Sequence, residues 1–220
     1  MQDKEDIRIF NMDCVQGCKQ KIQDESVDLI VCDPPFGINE STFDKHYNRI
    51  EKDVVCGYVE APSNYSSFSN EWITECKRIL KPNGSMYIIS GWSELPSILN
   101  AISANGLKVI NHIVWKFNFG VYTKNKFVTS HYHILYVSKP KAKPYFNKNC
   151  RFGDQEKDDG CNSLVYKDME DVWLIKKEYK PGQTKNKNQL PEALLEKIIL
   201  YSSKPGDVVC DLFLGGFSTA

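Results

Sequence analysis

The sequence has 220 residues, 41% of them apolar and 25% charged, which suits one globular domain with a sizeable core and excludes a low-complexity or disordered chain. Twenty-eight basic residues balance 28 acidic ones, so no global field favours a polyanionic partner and nucleic-acid contact has to come from local patches. No apolar run approaches the roughly 18 residues of a membrane span, and "MQDKEDIRIF" lacks an apolar leader core, so a cytoplasmic protein is expected.

In chain order, short β-branched runs alternate with amphipathic helical patterns. "IRIF" (7–10) reads as a strand ending near Asp13, followed by a helix near 14–22, the strand "VDLIVC" (27–32), a helix near 69–80, the strand "SMYIIS" (85–90) and a helix near 94–105. Lys81, Pro82, Asn83 and Gly84 are stop signals for one helix, and Asn105 with Gly106 for the next. "VINHIVW" and "YHILYVSK" follow as strands. Pro191 opens a helix over 191–203, and "DVVCDLF" closes the series as a strand. This alternation predicts an α/β fold around a largely parallel sheet. Two stretches break the rhythm: residues 39–68, polar with scattered tyrosines, and residues 140–187, rich in Lys, Asn, Asp and Gly. Loops of that length inside one domain, here 1–220, are functional or disordered.

Eight cysteines contain no C-x-x-C pair, and Cys32 and Cys210 sit inside apolar runs where the thiol acts as a small hydrophobe. Free reduced thiols and no metal are expected.

"VDLIVCDPPFGI" (27–38) carries the chemistry. A strand ends in Asp33, and ligands of open α/β sheets gather beyond the carboxyl ends of strands. Pro34 and Pro35 fix the backbone and remove two N–H donors, leaving carbonyls and one carboxylate, which is an acceptor site. Phe36 adds a flat face beside it, suited to a planar heterocycle bearing an amino group. An Asp-Pro-Pro also begins loops in which the acid only caps a turn. Against that stands "GDVVCDLFLGGFSTA", a strand ending at Asp211 that leads through Gly215 and Gly216 toward a helix start, a form that admits a ligand to the backbone. It lacks G-x-G-x-x-G and a Walker lysine, which counts against dinucleotides and nucleoside triphosphates.

In these segments and their order the chain resembles the β-group amino-methylating DNA methyltransferases. "DLIVCDPPFGI" is similar to their catalytic D-P-P-[FY] region, "ECKRILKPNGSMYIISG", "INHIVWKFNFG" and "SHYHILYVSK" to the strand units after it, and "KNQLPEALLEKIILYSSKPGDVVCDLFLGG" to the cofactor helix and strand. Leu212, Phe217, Lys187, Asn188 and Leu190 depart from the family pattern. The resemblance implies a Rossmann-like methyltransferase sheet with circularly permuted motif order, and a chain truncated at its C-terminus, because members continue to a strand whose acid binds ribose hydroxyls.

Carried over to this sequence, the resemblance implies that Asp33 and the Pro34 carbonyl accept hydrogen bonds from a target amine, within the rigid frame of Pro35, while Phe36 stacks on a flipped base. It implies S-adenosylmethionine as cofactor, with the methionine part near Asp211, Phe213, Gly215, Ser218 and Asn188, the adenine near Asp13 and Cys14, and Asp33, Gln189 and Thr219 as further cofactor-binding candidates. Asp before the prolines favours adenine N6 over cytosine N4. His131 and His133 read as sheet residues, and Trp92 and Trp115 as core or pocket wall. Double-stranded DNA is the implied partner, with Lys139, Lys141, Lys143, Lys148 and Arg151, then Lys185 and Lys187, as candidate phosphate contacts within the target-recognition segment 140–187. A homodimer is among the open oligomeric states. Cytosine-N4 and RNA methyltransferases, a catalytically inactive nucleic-acid-binding module, and a protein glutamine methyltransferase, which carries Asn where Asp33 stands, are the alternatives.

Overall fold

The computed structural model describes residues 7–36, 62–118, 120, 122, 124–148, 150, 169–177, 189–215 and 219. Its elements are α1 (Cys14–Lys21), β1 (Val27–Cys32), α2 (Tyr65–Ile79), β2 (Leu80–Ser90), α3 (Leu95–Ala104), β3 (Lys108–Lys116), β4 (His131–Ser138), β5 (Val172–Leu174), α4 (Glu192–Ser202) and β6 (Val209–Asp211).

The strands form one sheet in the order β5-β3-β4-β2-β1-β6. β1 pairs in parallel with β2 on one side and β6 on the other, β3 pairs in parallel with β5, and β4 runs antiparallel to both β2 and β3. β1 is apolar almost throughout because both of its faces are covered. Val27, Ile30 and Cys32 enter the layer of α1, α2 and α3 with Trp72, Ile79 and Ile98, whereas Leu29 and Val31 enter the layer of α4 with Leu194, Leu195 and Ile198. Fully burying each such aliphatic side chain stabilises the fold by about 1.5–3 kcal/mol. Asp28 supports the same strand at its start, accepting from Lys81 Nζ at 2.6 Å and from the Val208 backbone N–H at 2.9 Å, so one carboxylate ties β1 to both neighbours.

Several boundaries differ from the sequence expectation. Residues 7–12 form no strand; Ile7 and Ile9 are 61% and 54% exposed, and Asp13 caps α1, its side chain accepting from the Gln16 N–H at 3.0 Å. α2 starts at Tyr65 rather than 69 because Asn64 accepts from the Ser67 N–H at 3.1 Å, so the polar segment expected over 39–68 gives up its last residues to a helix. Lys81 to Gly84, expected as a helix stop, already belong to β2. Gly84 permits this: a Cβ there would stand 2.9 Å from the Asp28 carbonyl oxygen. β5 lies inside the segment read as irregular, and β6 is three residues long. α3 ends as expected at Asn105 and Gly106, the glycine at φ +64.

Candidate active site

The parallel ladder of β1 and β6 sets Val31 opposite Asp211, so the two strands finish side by side with Asp33 two residues past that pair. Asp33 is half-buried, and its carboxyl is pushed up to about 8, first by burial, then by the Asp211 carboxylate, with Lys177 acting the other way. Asp211 is raised by burial too, against the hydrogen bonds it accepts from the Thr219 hydroxyl at 2.6 Å and the Phe213 N–H at 2.8 Å. These bonds curl the chain after β6 into a turn, with Gly215 at φ +52.

Pro34 is buried and Pro35 half-buried. Phe36 stands edge-on to Tyr132 at 5.1 Å and packs against the α4-side layer. Gly91, just beyond β2, borders the Phe36 ring, which a Cβ there would meet at 3.7 Å in ordinary van der Waals contact. Tyr132 is in turn packed against Trp115 and Phe117, with centroids 5.7 and 5.0 Å away. Over these rings hangs Lys177, its Nζ 4.3 Å from the Phe117 centroid and 4.6 Å from that of Tyr132. Asp33 is therefore bounded by an acid on the β6 side and by an aromatic wall topped with a cation on the other.

On the α2 side, Phe213 packs edge-on to Trp72 at 5.4 Å and faces Phe68 at 6.2 Å. Ser69 Oγ and Trp72 Nε1 are fully buried on this helix with no hydrogen-bond partner among the described residues. An orphaned buried donor costs about 1–3 kcal/mol.

The remaining expected residues spread out. Cys14 lies partly in the α1–α3 layer with its thiol pushed up to about 12 by burial and by Asp13. Gln189 is exposed ahead of α4, and Thr219 closes on Asp211. Asn188, Ser218, Arg151, Lys185 and Lys187 lie outside the described residues. Trp115 is buried and donates to the Ile175 carbonyl at 2.8 Å, whereas Trp92 is 72% exposed and belongs to no core.

The basic run after β4 has a definite place. Ser90 pairs with His133 and Ser85 with Ser138, so β4 starts at the Asp33 end of the sheet and finishes at the opposite one. Five strand positions make that separation about 16 Å. Lys139, ion-paired with Glu25 at 2.8 Å, and Lys143, whose N–H donates to the Asn83 side chain, stand at the far end. The connection between β3 and β4 lies at the Asp33 end. It closes tightly, since Phe117 N–H donates to the Ser130 carbonyl and a Cβ on Gly120 would overlap Val128. It carries exposed Lys124 and Lys126, and Phe127 is 99% exposed. A sequence signal for this hairpin exists: residues 95–153 contain no Asp or Glu.

The model of the N6_N4_Mtase family, described as DNA methylase, matches residues 27–220. The chain belongs to this DNA methylase family. The Type II methyltransferase M2.DpnII of Streptococcus pneumoniae is 31% identical over 211 residues, covering 90% of this chain and 74% of that one. M.HpaI of Haemophilus parainfluenzae is 29% identical and M.HinfI of Haemophilus influenzae 32%; each match covers 96% of this methylase-family chain, which spans 64% and 60% of their lengths. Among solved structures, the M1.HpyAVI–SAM complex superimposes with a TM-score of 0.61 at 26% identity, covering 97% of this chain and 86% of that one. The cytosine-N4-specific PvuII methyltransferase superimposes at 0.67 with 14% identity, covering 94% and 74%, a likeness of fold. Among the described residues, no helix of the chain is long and apolar enough to cross a membrane, and no group of His, Cys, Asp or Glu could hold a metal ion.

Proposed function

We propose that this methylase transfers a methyl group from S-adenosylmethionine to the N6 amino group of an adenine flipped out of double-stranded DNA. The observation that carries the proposal is the juxtaposition of Asp33 and Asp211 at neighbouring carboxyl ends, with Phe36 as the aromatic face beside Asp33.

The two acids divide the work. Asp33 and the Pro34 carbonyl accept from the exocyclic amine, drawing its hydrogens out of the ring plane so that the lone pair is no longer delocalised into the base. Phe36, braced by Tyr132, holds the ring in stack. Most of the acceleration comes from this positioning. The methylated amine is acidic enough to lose its extra proton to water. The cofactor, when bound, supplies a methyl on an electrophilic sulfonium and leaves as the thioether.

The residues at the β6 turn suit that cofactor. The Asp211 carboxyl at this turn and the Asp33 carboxyl next to it would be drawn to their ionised forms by a cationic ligand, Gly215 adds glycine backbone, and the Trp72 N–H near Phe213 and the Ser69 hydroxyl three residues earlier on α2 have no partner among the described residues. Asp211, Phe213, Gly215 and Thr219, with Asn188, Gln189 and Ser218, would hold the methionine part. Asp13 and Cys14 remain assigned to the adenine part.

For DNA, we infer that the first phosphate contacts come from the β3–β4 hairpin, through Lys124 and Lys126, because it shares the Asp33 end. Lys139, Lys141, Lys143 and Lys148 would engage only a duplex that reaches past that end, and Arg151, Lys185 and Lys187 are kept as candidate phosphate contacts.

Nucleoside mass spectrometry of unmodified duplex DNA incubated with the protein and S-adenosylmethionine tests the assignment. N6-methyldeoxyadenosine is expected. N4-methyldeoxycytidine would overturn the choice of base, and no methylated nucleoside on DNA of mixed sequence would overturn the activity.

A further inference from the structure

We propose that Lys177 is a positioning residue for Asp33, an ammonium caged over three aromatic rings that supplies the counter-charge under which Asp33 serves as an acceptor. The inference rests on the methyltransferase reading and assigns a residue the family motifs do not reach.

The cage is built by the sheet edge. Past β5, the Ile175 carbonyl takes the Trp115 indole N–H at 2.8 Å, which fixes the course of the chain. Two residues later the half-buried Lys177 places Nζ 4.3 Å from the Phe117 centroid, 4.6 Å from Tyr132 and 5.9 Å from Trp115. A cation over several ring faces is attracted by each quadrupole, and the attraction grows as water is excluded. That confines a long side chain which would otherwise keep much of its rotamer freedom. Tyr132, one wall of the cage, is also the ring against which Phe36 stands, three residues after Asp33. The cage and the acceptor therefore share a wall.

Among the described residues, two charged groups act on Asp33: Asp211 from β6 and Lys177 from the segment after β5. Asp211 opposes ionisation of Asp33 and Lys177 favours it. A carboxylic acid that stayed protonated would present a donor to an amine that needs an acceptor. The caged ammonium counters the neighbouring acid only in part, its pull being smaller than the push of burial and of Asp211, so without it the Asp33 carboxyl would hold its proton to a still higher pH; the rings fix the place from which its field acts.

Two measurements test the proposal. A carbon-13 titration of the Asp33 carboxyl requires no substrate. K177M should raise its midpoint by about one pH unit or more, and K177R should stay close to the wild type. Single-turnover methylation of duplex DNA at saturating cofactor should show the acid limb moving the same way in K177M, with the rate recovering to within about threefold of wild type on the alkaline side. If Met disturbs the packing, K177Q removes the same charge with a polar end. An Asp33 midpoint that stays in place in both variants overturns the proposal, as does a rate lowered equally at every pH. A wild-type protein that methylates no DNA while its Asp33 midpoint still follows Lys177 would overturn the methyltransferase reading and leave the coupling of the two residues standing.

Discussion

Asp33 stands beside Asp211 where β1 and β6 end together, and shared burial holds both carboxyls above the ordinary carboxylate range. Acids at neighbouring strand ends, one of which raises the proton affinity of the other, are unfavourable for folding, and in the proposed reaction a cationic ligand and an amine would draw on them.

That relationship predicts an inverted pH dependence of stability. The folded protein keeps the Asp33 proton up to about 8, whereas the unfolded chain releases it near the ordinary aspartate value of 3.8. Between those values the native state binds more protons, so its stability falls as pH rises, by less than about 1.4 kcal/mol per pH unit given the screening at the exposed edge of the residue. Urea denaturation of ligand-free protein at pH 5 and pH 8 should show the decline, and D33N should reduce it. An equal decline in D33N would place its source elsewhere.

Phe36→Ala removes the stacking face and leaves the Asp33 carboxylate in place. Base–aromatic stacking is worth about 1–3 kcal/mol, so the DNA-dependent KM should rise roughly 5- to 150-fold while calorimetric cofactor affinity holds. F36Y should keep most of the wild-type KM. Equal loss in both variants would assign Phe36 to core packing instead.

Trp72→Phe deletes a buried N–H that has no partner among the described residues. The apoprotein should be unchanged or more stable, by up to about 1–3 kcal/mol if packing is kept. Cofactor affinity should fall. A stability loss with unaltered affinity would show that the indole serves only the core around Phe213.

The two basic regions should behave differently. K124A/K126A should weaken DNA binding and lower the salt slope by roughly one unit for each phosphate no longer neutralised, measured by fluorescence anisotropy between low and moderate salt. K141A/K143A, at the opposite end of the sheet, should change both quantities less. A larger effect from the second pair would return recognition to the segment after β4.

The elements that read clearly from sequence are those whose neighbours are fixed locally. β1 and β4 carry apolar runs, α3 a glycine stop and β3 β-branched residues on either side of Asn111 and His112, and their boundaries move little. "IRIF" has the same local character and forms no strand, because strand formation needs a pairing edge that a period pattern does not contain. β5 is too short to give a period, and Trp173 and Ile175 become legible only when packed on α4. In the site, the acid, the prolines and Phe36 follow from strand-end logic. Lys177 and Tyr132 do not, since a caged lysine and a strand tyrosine have no local signature and meet Asp33 only through tertiary packing. The lysines after β4 suit DNA by charge alone; the antiparallel course of β4, which puts them at the other end, is a property of topology.

The role of Asp33 as acceptor is tested most directly by separating binding from transfer in Asp33→Ala. Calorimetry with S-adenosylmethionine and single-turnover transfer of a labelled methyl group to duplex DNA would be run on the wild type and the variant at the same pH. Cofactor affinity should stay within about tenfold of wild type while transfer falls by several orders of magnitude, as expected when a positioned acceptor is removed. Methylation of DNA by Asp33→Ala at the wild-type rate would contradict that role.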